Sequence, residues 1–247
     1  MDLVDDFFDC LFERAEGIKM RTLIHIGQHK TGTTSLQYYL QQNRLKLSKI
    51  GLYVADSIAG YNNPSHFILN VYALNKDRYS SMKERLWKIK SQTYFDSLEN
   101  ELKNDVYRHY KIAREQGCKD IIWSNEGLYL LNSVGEYNRL KNLFVEHSSS
   151  VISVCCFRDV RSYKLSYEKQ LLKSGIAPSK DKDSYRYLED DSWLFDYNAK
   201  IKMLNEVFDE TINFNYNQQD NIGEFLDGIG YSGIYTENVR LNITQKI

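Results

Sequence analysis

Residues Thr22 to Leu36 read Thr-Leu-Ile-His-Ile-Gly-Gln-His-Lys-Thr-Gly-Thr-Thr-Ser-Leu. An apolar stretch runs into a loop of glycine, lysine and threonine, and a helix pattern starts at once. A buried strand that feeds a helix in this way is the opening unit of a mainly parallel α/β sheet. The loop also dictates a ligand type. Backbone N–H groups at a helix start point at an anion, the helix dipole favours negative charge, and a lysine adds a full positive charge. The run is therefore a phosphate-binding strand–loop–helix.

The spacing separates it from an ordinary ATP loop. A Walker A loop reads G-x-x-x-x-G-K-[ST], with its lysine after the second glycine. Gly27 and Gly32 have that separation, but Thr33 and Thr34 follow Gly32, and the lysine is Lys30, ahead of it. A lysine at this point can reach the bridging oxygen between a 5′-phosphate and its terminal group. A second segment, Val151-Ile-Ser-Val-Cys-Cys-Phe157, is a continuous apolar run, the pattern of a strand buried on both faces. It ends in Arg158, with Ser166 eight residues further on in a helix pattern. An arginine fork binds a phosphate bidentately, and a hydroxyl adds a donor.

The form His-Lys-Thr-Gly-Thr-Thr-Ser, together with Arg158 and Ser166, resembles the two nucleotide loops of sulfotransferases that use PAPS (3′-phosphoadenosine-5′-phosphosulfate). The resemblance covers Arg21 to about Gly233 and is closest to bacterial enzymes acting on carbohydrates. It implies a P-loop-like three-layer fold with a mainly parallel sheet flanked by helices. It implies PAPS as donor, PAP (3′-phosphoadenosine 5′-phosphate) as product, and no required metal. Lys30 is then the residue on the bridging oxygen. His29, Thr31, Gly32, Thr33, Thr34 and Ser35 complete the phosphosulfate loop, and Arg158 and Ser166 take the 3′-phosphate. Cytosolic members carry a tryptophan just after the Thr-Thr pair, where this chain has Ser35. Their glycine-rich loop near the C-terminus is not evident in this chain, which ends at Ile247.

Two residues are candidates for the base. Glu126 follows the predicted strand 120–124, and in open α/β sheets ligands sit beyond the carboxyl ends of strands. Its plainer role is to complement a helix dipole. His66 sits at a helix entry after strand 52–54, and a neutral imidazole is a reasonable base near pH 7. Its plainer role is capping or substrate contact. His25 reads as a hydrogen-bonded core residue, and His109 and His147 as surface residues. Tyr61, Tyr72 and Tyr79 fall in the segment expected to shape an acceptor pocket. The chain's 19 tyrosines lend weak support to a saccharide.

A chain of 247 residues can bury one sizeable core. The expected division is an acidic amphipathic extension over 1–20 and a sulfotransferase domain over 21–247 with a helical insertion at about 60–116. The extension lacks a basic n-region, so it is not a signal peptide; it is expected to pack on the domain or on the partner in a homodimer. A net charge of −1 offers no basic field for nucleic acid. Cys10, Cys118, Cys155 and Cys156 show neither paired nor metal-like spacing, which suits a reducing cytoplasm. No apolar run is long enough to cross a membrane. Helices are expected over 33–49, 65–74, 81–116, 135–147, 160–174, 193–208 and 221–229, with a last strand at 211–215 and a mobile polar loop over 175–191. The leading functional expectation is sulfuryl transfer from PAPS to a hydroxyl or amine of a carbohydrate or glycoconjugate. The alternatives are a P-loop kinase-like phosphotransferase and a non-catalytic sulfotransferase-like nucleotide-binding protein.

Overall fold

The computed structural model describes residues 19–217 and 220–233. Most of the acidic extension, Cys10 and the last residues of the chain lie outside them. Five strands form one parallel sheet: β1 (Met20–His25), β2 (Leu52–Val54), β3 (Asp120–Ser124), β4 (Ser148–Phe157) and β5 (Glu210–Asn215), in the order β2-β3-β1-β4-β5. β1 lies at the centre, and the chain leaves it to build outward on both sides. Such a switch point opens a crevice at the carboxyl ends of the strands, and the phosphate-type loop leaves β1 there.

Side-chain alternation along the strands makes the layers. Leu23, Ile122, Ile152 and Val154 face one side, where they pack with Leu36, Leu40 and Leu47 of α1 (Thr33–Lys49) and Ile222, Phe225 and Leu226 of α8 (Asn221–Gly228). Ile24, Ile121, Trp123, Val151 and Cys155 face the other, larger core. That core is covered by α2 (Phe67–Ala73), α3 (Ser81–Ile89), α4 (Gln92–Glu115), α5 (Val134–Asn142), α6 (Val160–Lys173) and α7 (Tyr197–Val207). The architecture is the expected three-layer α/β arrangement, with α2, α3 and α4 all between β2 and β3.

Several boundaries differ from the sequence reading for local reasons. The helix expected over 81–116 is two helices. Lys90 and Ser91 are extended, and the Ser91 side chain accepts the Tyr94 N–H to start α4 afresh. The helix expected from 193 begins at Tyr197, where Asp196 caps it. The stretch 175–191 is irregular yet anchored. The Tyr167 hydroxyl donates to Tyr185 O at 3.2 Å, and Lys164 pairs with Asp190 at 2.7 Å. His109 is a correction: it is fully buried, its Nε2–H donating to Ser57 O at 2.6 Å and its Nδ1 bonded to the Tyr53 hydroxyl at 3.0 Å. His147 is half-buried against Tyr107 and Tyr110.

Candidate functional site

The loop after β1 is shaped by close approach. A Cβ on Gly27 would lie 2.5 Å from Thr33 Cγ2 and 2.6 Å from His25 Nε2, so only glycine lets the chain fold back over the strand end. Thr31 Oγ1 donates to Gln28 O at 2.6 Å and closes the turn. Gly32 sits at φ +74°, and Lys30 at φ +69°, a left-handed position that side chains avoid. Holding a non-glycine residue there costs on the order of 1–3 kcal/mol, and such strain persists where surrounding contacts over-determine it. Those contacts are present. Lys30 O accepts Arg158 Nη1 at 3.0 Å, and Thr31 O accepts Asn221 Nδ2 at 2.8 Å. The Lys30 side chain is exposed.

Helix α1 starts without a capping side chain and without an acid in its first turn. In contrast α3, α4, α5, α6, α7 and α8 are each capped by a serine or aspartate. An uncapped helix start beside a lysine suits an anionic group.

The second loop converges on the first. Arg158 leaves the end of β4, and its Nη1 lies 3.4 Å from Ser166 Oγ as well as bonding Lys30 O. Its guanidinium carbon is 5.5 Å from the Tyr216 ring centroid. The other guanidinium N–H groups have no acceptor among the described residues, leaving donors for a phosphate. Arg158 and Ser166, paired in the sequence by their resemblance to a sulfotransferase 3′-phosphate site, are thus brought together.

Glu126 opens a short 3-10 helix (Glu126–Leu130) at the end of β3. Its Oε2 accepts Gln37 Nε2 at 2.7 Å and Ser65 Oγ at 3.3 Å, and Ser65 Oγ accepts Asn125 Nδ2 at 2.8 Å. Both side-chain donors fall on one oxygen, so Oε1 is left open. His29 lies within electrostatic reach of Glu126 and Lys30. Burial lowers its pKa, Glu126 opposes that, and Lys30 adds to it. Its Nδ1 is buried without a partner, and its ring lies 5.2 Å from Tyr167. A neutral imidazole with an unmet nitrogen beside Lys30 is a polar atom prepared for a ligand.

His66 does not have the geometry of a base. Its Nδ1 accepts the Ser124 N–H at 2.9 Å, so Nε2 carries the proton, which it donates to Ala55 O at 3.1 Å. Both nitrogens are occupied, and burial holds its pKa down to about 4. The residue ties β2, β3 and the start of α2 together. His25 is the buried core residue expected, with Nδ1 2.8 Å from Ser124 Oγ, its ring edge-on to Phe225, and a pKa lowered by burial to about 4.

Five residues of the site carried no sequence signal. Gln28, Gln37, Tyr197, Tyr216 and Asn221 act between elements, and only the strand order decides which elements meet. No group of three metal-type ligands occurs among the described residues, and no helix among them is long and apolar enough to cross a membrane.

No protein-family model matches the chain, and no curated protein does. Among solved structures, the chain is similar to a sulfotransferase from Alicyclobacillus acidocaldarius, with a TM-score of 0.51 and 13% identity over 87% of this chain and 83% of that one. At that identity the likeness is one of fold, in the parallel sheet and its flanking helices.

Proposed function

We propose that the chain is a sulfotransferase that moves the sulfuryl group of PAPS to a hydroxyl or amine of a carbohydrate or glycoconjugate. The observation that carries this reading is the convergence of the two loops. Arg158 stands within hydrogen-bond distance of both Ser166 Oγ and Lys30 O, so one site offers an uncapped helix start together with the guanidinium N–H groups that those contacts leave unused. Two donor sets of different kind, backbone N–H groups and a guanidinium, suit a ligand with two phosphate-type groups.

The donor, when bound, supplies an activated sulfuryl group on a 5′-phosphate leaving group. Lys30, the helix-start N–H groups and the hydroxyls of Thr33, Thr34 and Ser35 would balance the charge gathering on that leaving oxygen. Arg158 and Ser166 would hold the 3′-phosphate. Glu126 is the better-placed base. Gln37 and Ser65 hold Oε2, and Oε1 is left to take the acceptor's proton. His66, with both nitrogens bonded, keeps a positioning role through Ser65 and α2.

Thermal denaturation tests the reading directly. A ligand present at about 100 times its Kd stabilises a fold by roughly 2.7 kcal/mol. PAP should raise Tm, and ADP or ATP with magnesium should not. A rise with magnesium ATP alone would replace the reading with a kinase-like one. Release of PAP from PAPS only when saccharide is present would then establish transfer.

A further inference from the structure

A run of half-buried aromatic rings leaves the edge of the site and ends in a cavity. Phe67 begins α2, two residues after the Ser65 that bonds Glu126. Its ring lies 4.8 Å from Tyr61, and the Tyr61 hydroxyl is 3.2 Å from that of Tyr94. Tyr94 meets Phe95 at 5.3 Å, and Phe95 meets Trp87 at 4.6 Å. Phe95 and Trp87 then line a cavity of about 620 Å³ together with Tyr72, Lys76, Lys83 and Arg139. That volume is within the range of small-ligand sites. Trp87 is 45% exposed, whereas Trp123 is fully buried in the core.

Charge along the run is uneven in a useful way. The cavity lining carries Lys76, Lys83 and Arg139 against Asp96 and Glu99, and Glu99 is paired with Lys103 at 2.7 Å. Lys83 is 4% exposed and is steadied by Asn75 O and Arg78 O, and Lys90 sits 4.8 Å from the Tyr94 centroid. Lys76 makes no ion pair among the described residues. The charge left for a ligand is positive.

We propose that these rings and this cavity form an extended binding track for an acidic saccharide, with sugar faces stacked on Trp87 and Phe95 and a carboxylate facing Lys76. The C–H face of a pyranose is apolar and fits an aromatic plane, while its hydroxyls and acid group need the polar rim; the track supplies both. Helix α2 joins the two ends, and its seven residues span about 10 Å. The occupant is therefore an oligosaccharide, held at the cavity several groups away from the unit presented to Glu126. A nucleic acid fits less well, because the chain carries a net charge of −1 and no continuous basic stripe to follow a phosphate backbone. The proposal rests on the saccharide acceptor inferred above, and it names that acceptor as long and acidic.

The test is direct binding to the full chain without PAPS, followed by calorimetry. The probes are a uronate hexasaccharide, neutral maltohexaose and a single-stranded oligo-dT. The uronate oligomer should bind more tightly than the other two. Trp87→Ala should weaken it about tenfold, as loss of one stacked ring implies, with Lys76→Glu acting in the same direction. Both positions are exposed, and an unchanged Tm would show that the variants fold. Both variants should leave PAP affinity unchanged, and Lys30→Ala should leave uronate binding unchanged. No uronate binding, binding that ignores both variants, or preferential capture of oligo-dT overturns the track. A failed PAP shift with intact uronate binding would instead remove the sulfotransferase reading and leave the track standing.

Discussion

Gln28 locks the two anion loops to each other through Arg158: its Oε1 accepts the Arg158 N–H at 2.8 Å. The ring is closed by a third residue. Gln28 Nε2 donates to the Tyr197 hydroxyl at 2.8 Å, which donates to Arg158 O at 2.7 Å. The Gln28 side chain is fully buried, so each of these groups depends on the others for its partner. Gln28→Leu strands the Arg158 N–H, while the Tyr197 hydroxyl keeps Arg158 O, and an unsatisfied buried group costs about 1–3 kcal/mol. Urea unfolding should report a loss of that size, with weakened PAP binding in the fraction that remains folded. Tyr197→Phe removes the shared hydroxyl and takes the partner from both Gln28 Nε2 and Arg158 O, so it should cost a comparable amount.

Lys30 separates strain from chemistry. Its left-handed backbone suits glycine, while a glycine also frees the unfolded chain. The two effects oppose, so Lys30→Gly should fold with stability within about 1 kcal/mol of the parent. Turnover should nevertheless fall by at least about 100-fold, the scale set by removing one preorganised charge-stabilising donor. Steady-state kinetics beside a thermal melt would show both. Activity near that of the parent would remove Lys30 from the chemistry.

The contrast between these two residues shows what the sequence makes legible. Lys30, Arg158 and Ser166 could be proposed from the sequence because a strand, a loop and a helix in series leave a local pattern. The α/β architecture follows from the same alternation of elements. Gln28 was invisible because its partners come from β4 and α7, and nothing local says that β1 neighbours β4. The split of the 81–116 helix was readable in principle, since Ser91 is a capping residue three before Tyr94. His109 misled because an imidazole in a polar stretch looks exposed until the Tyr53 hydroxyl and the Ser57 carbonyl that occupy its nitrogens are placed.

Glu126 and His66 should part under mutation. Glu126→Gln keeps the shape but removes the base, so kcat should drop about 100- to 10,000-fold with little change in PAP affinity. His66 should instead report through stability. Burial lowers its pKa to about 4 from 6.5, so the unfolded state binds the extra proton between those values. Stability contributed by neutral His66 is full above pH 6.5 and is lost as pH falls towards 4. His25 has the same shift and the same sign. His66→Gln should flatten part of that acid slope while leaving the pH profile of kcat in place. A profile that loses its acid limb only when His66 is replaced would exchange the two roles.

Lys200 supports the same carboxylate from behind. It is fully buried, and its Nζ donates to Tyr129 O at 3.1 Å, to Leu131 O and to the Tyr137 hydroxyl at 3.3 Å, under the Trp193 ring. Those carbonyls end the short helix that Glu126 begins, so Lys200 fixes the segment carrying Glu126. Burial lowers the Lys200 pKa from 10.5 to about 7. Below pH 7 folded and unfolded chains both hold the proton, and the buried charge has its full cost. Between 7 and 10.5 only the unfolded chain holds it, so stability rises with pH, by at most about 1.4 kcal/mol per pH unit for one proton. Lys83, whose pKa burial lowers to about 8, adds to the slope in the same direction. Subtracting Lys200→Met from the parent isolates the Lys200 part. Urea midpoints at pH 6.5, 8 and 9.5 should show the parent gaining on the variant at each step. A difference that stays constant with pH would mean that Lys200 holds its proton throughout, and that its three acceptors and surrounding rings balance the burial.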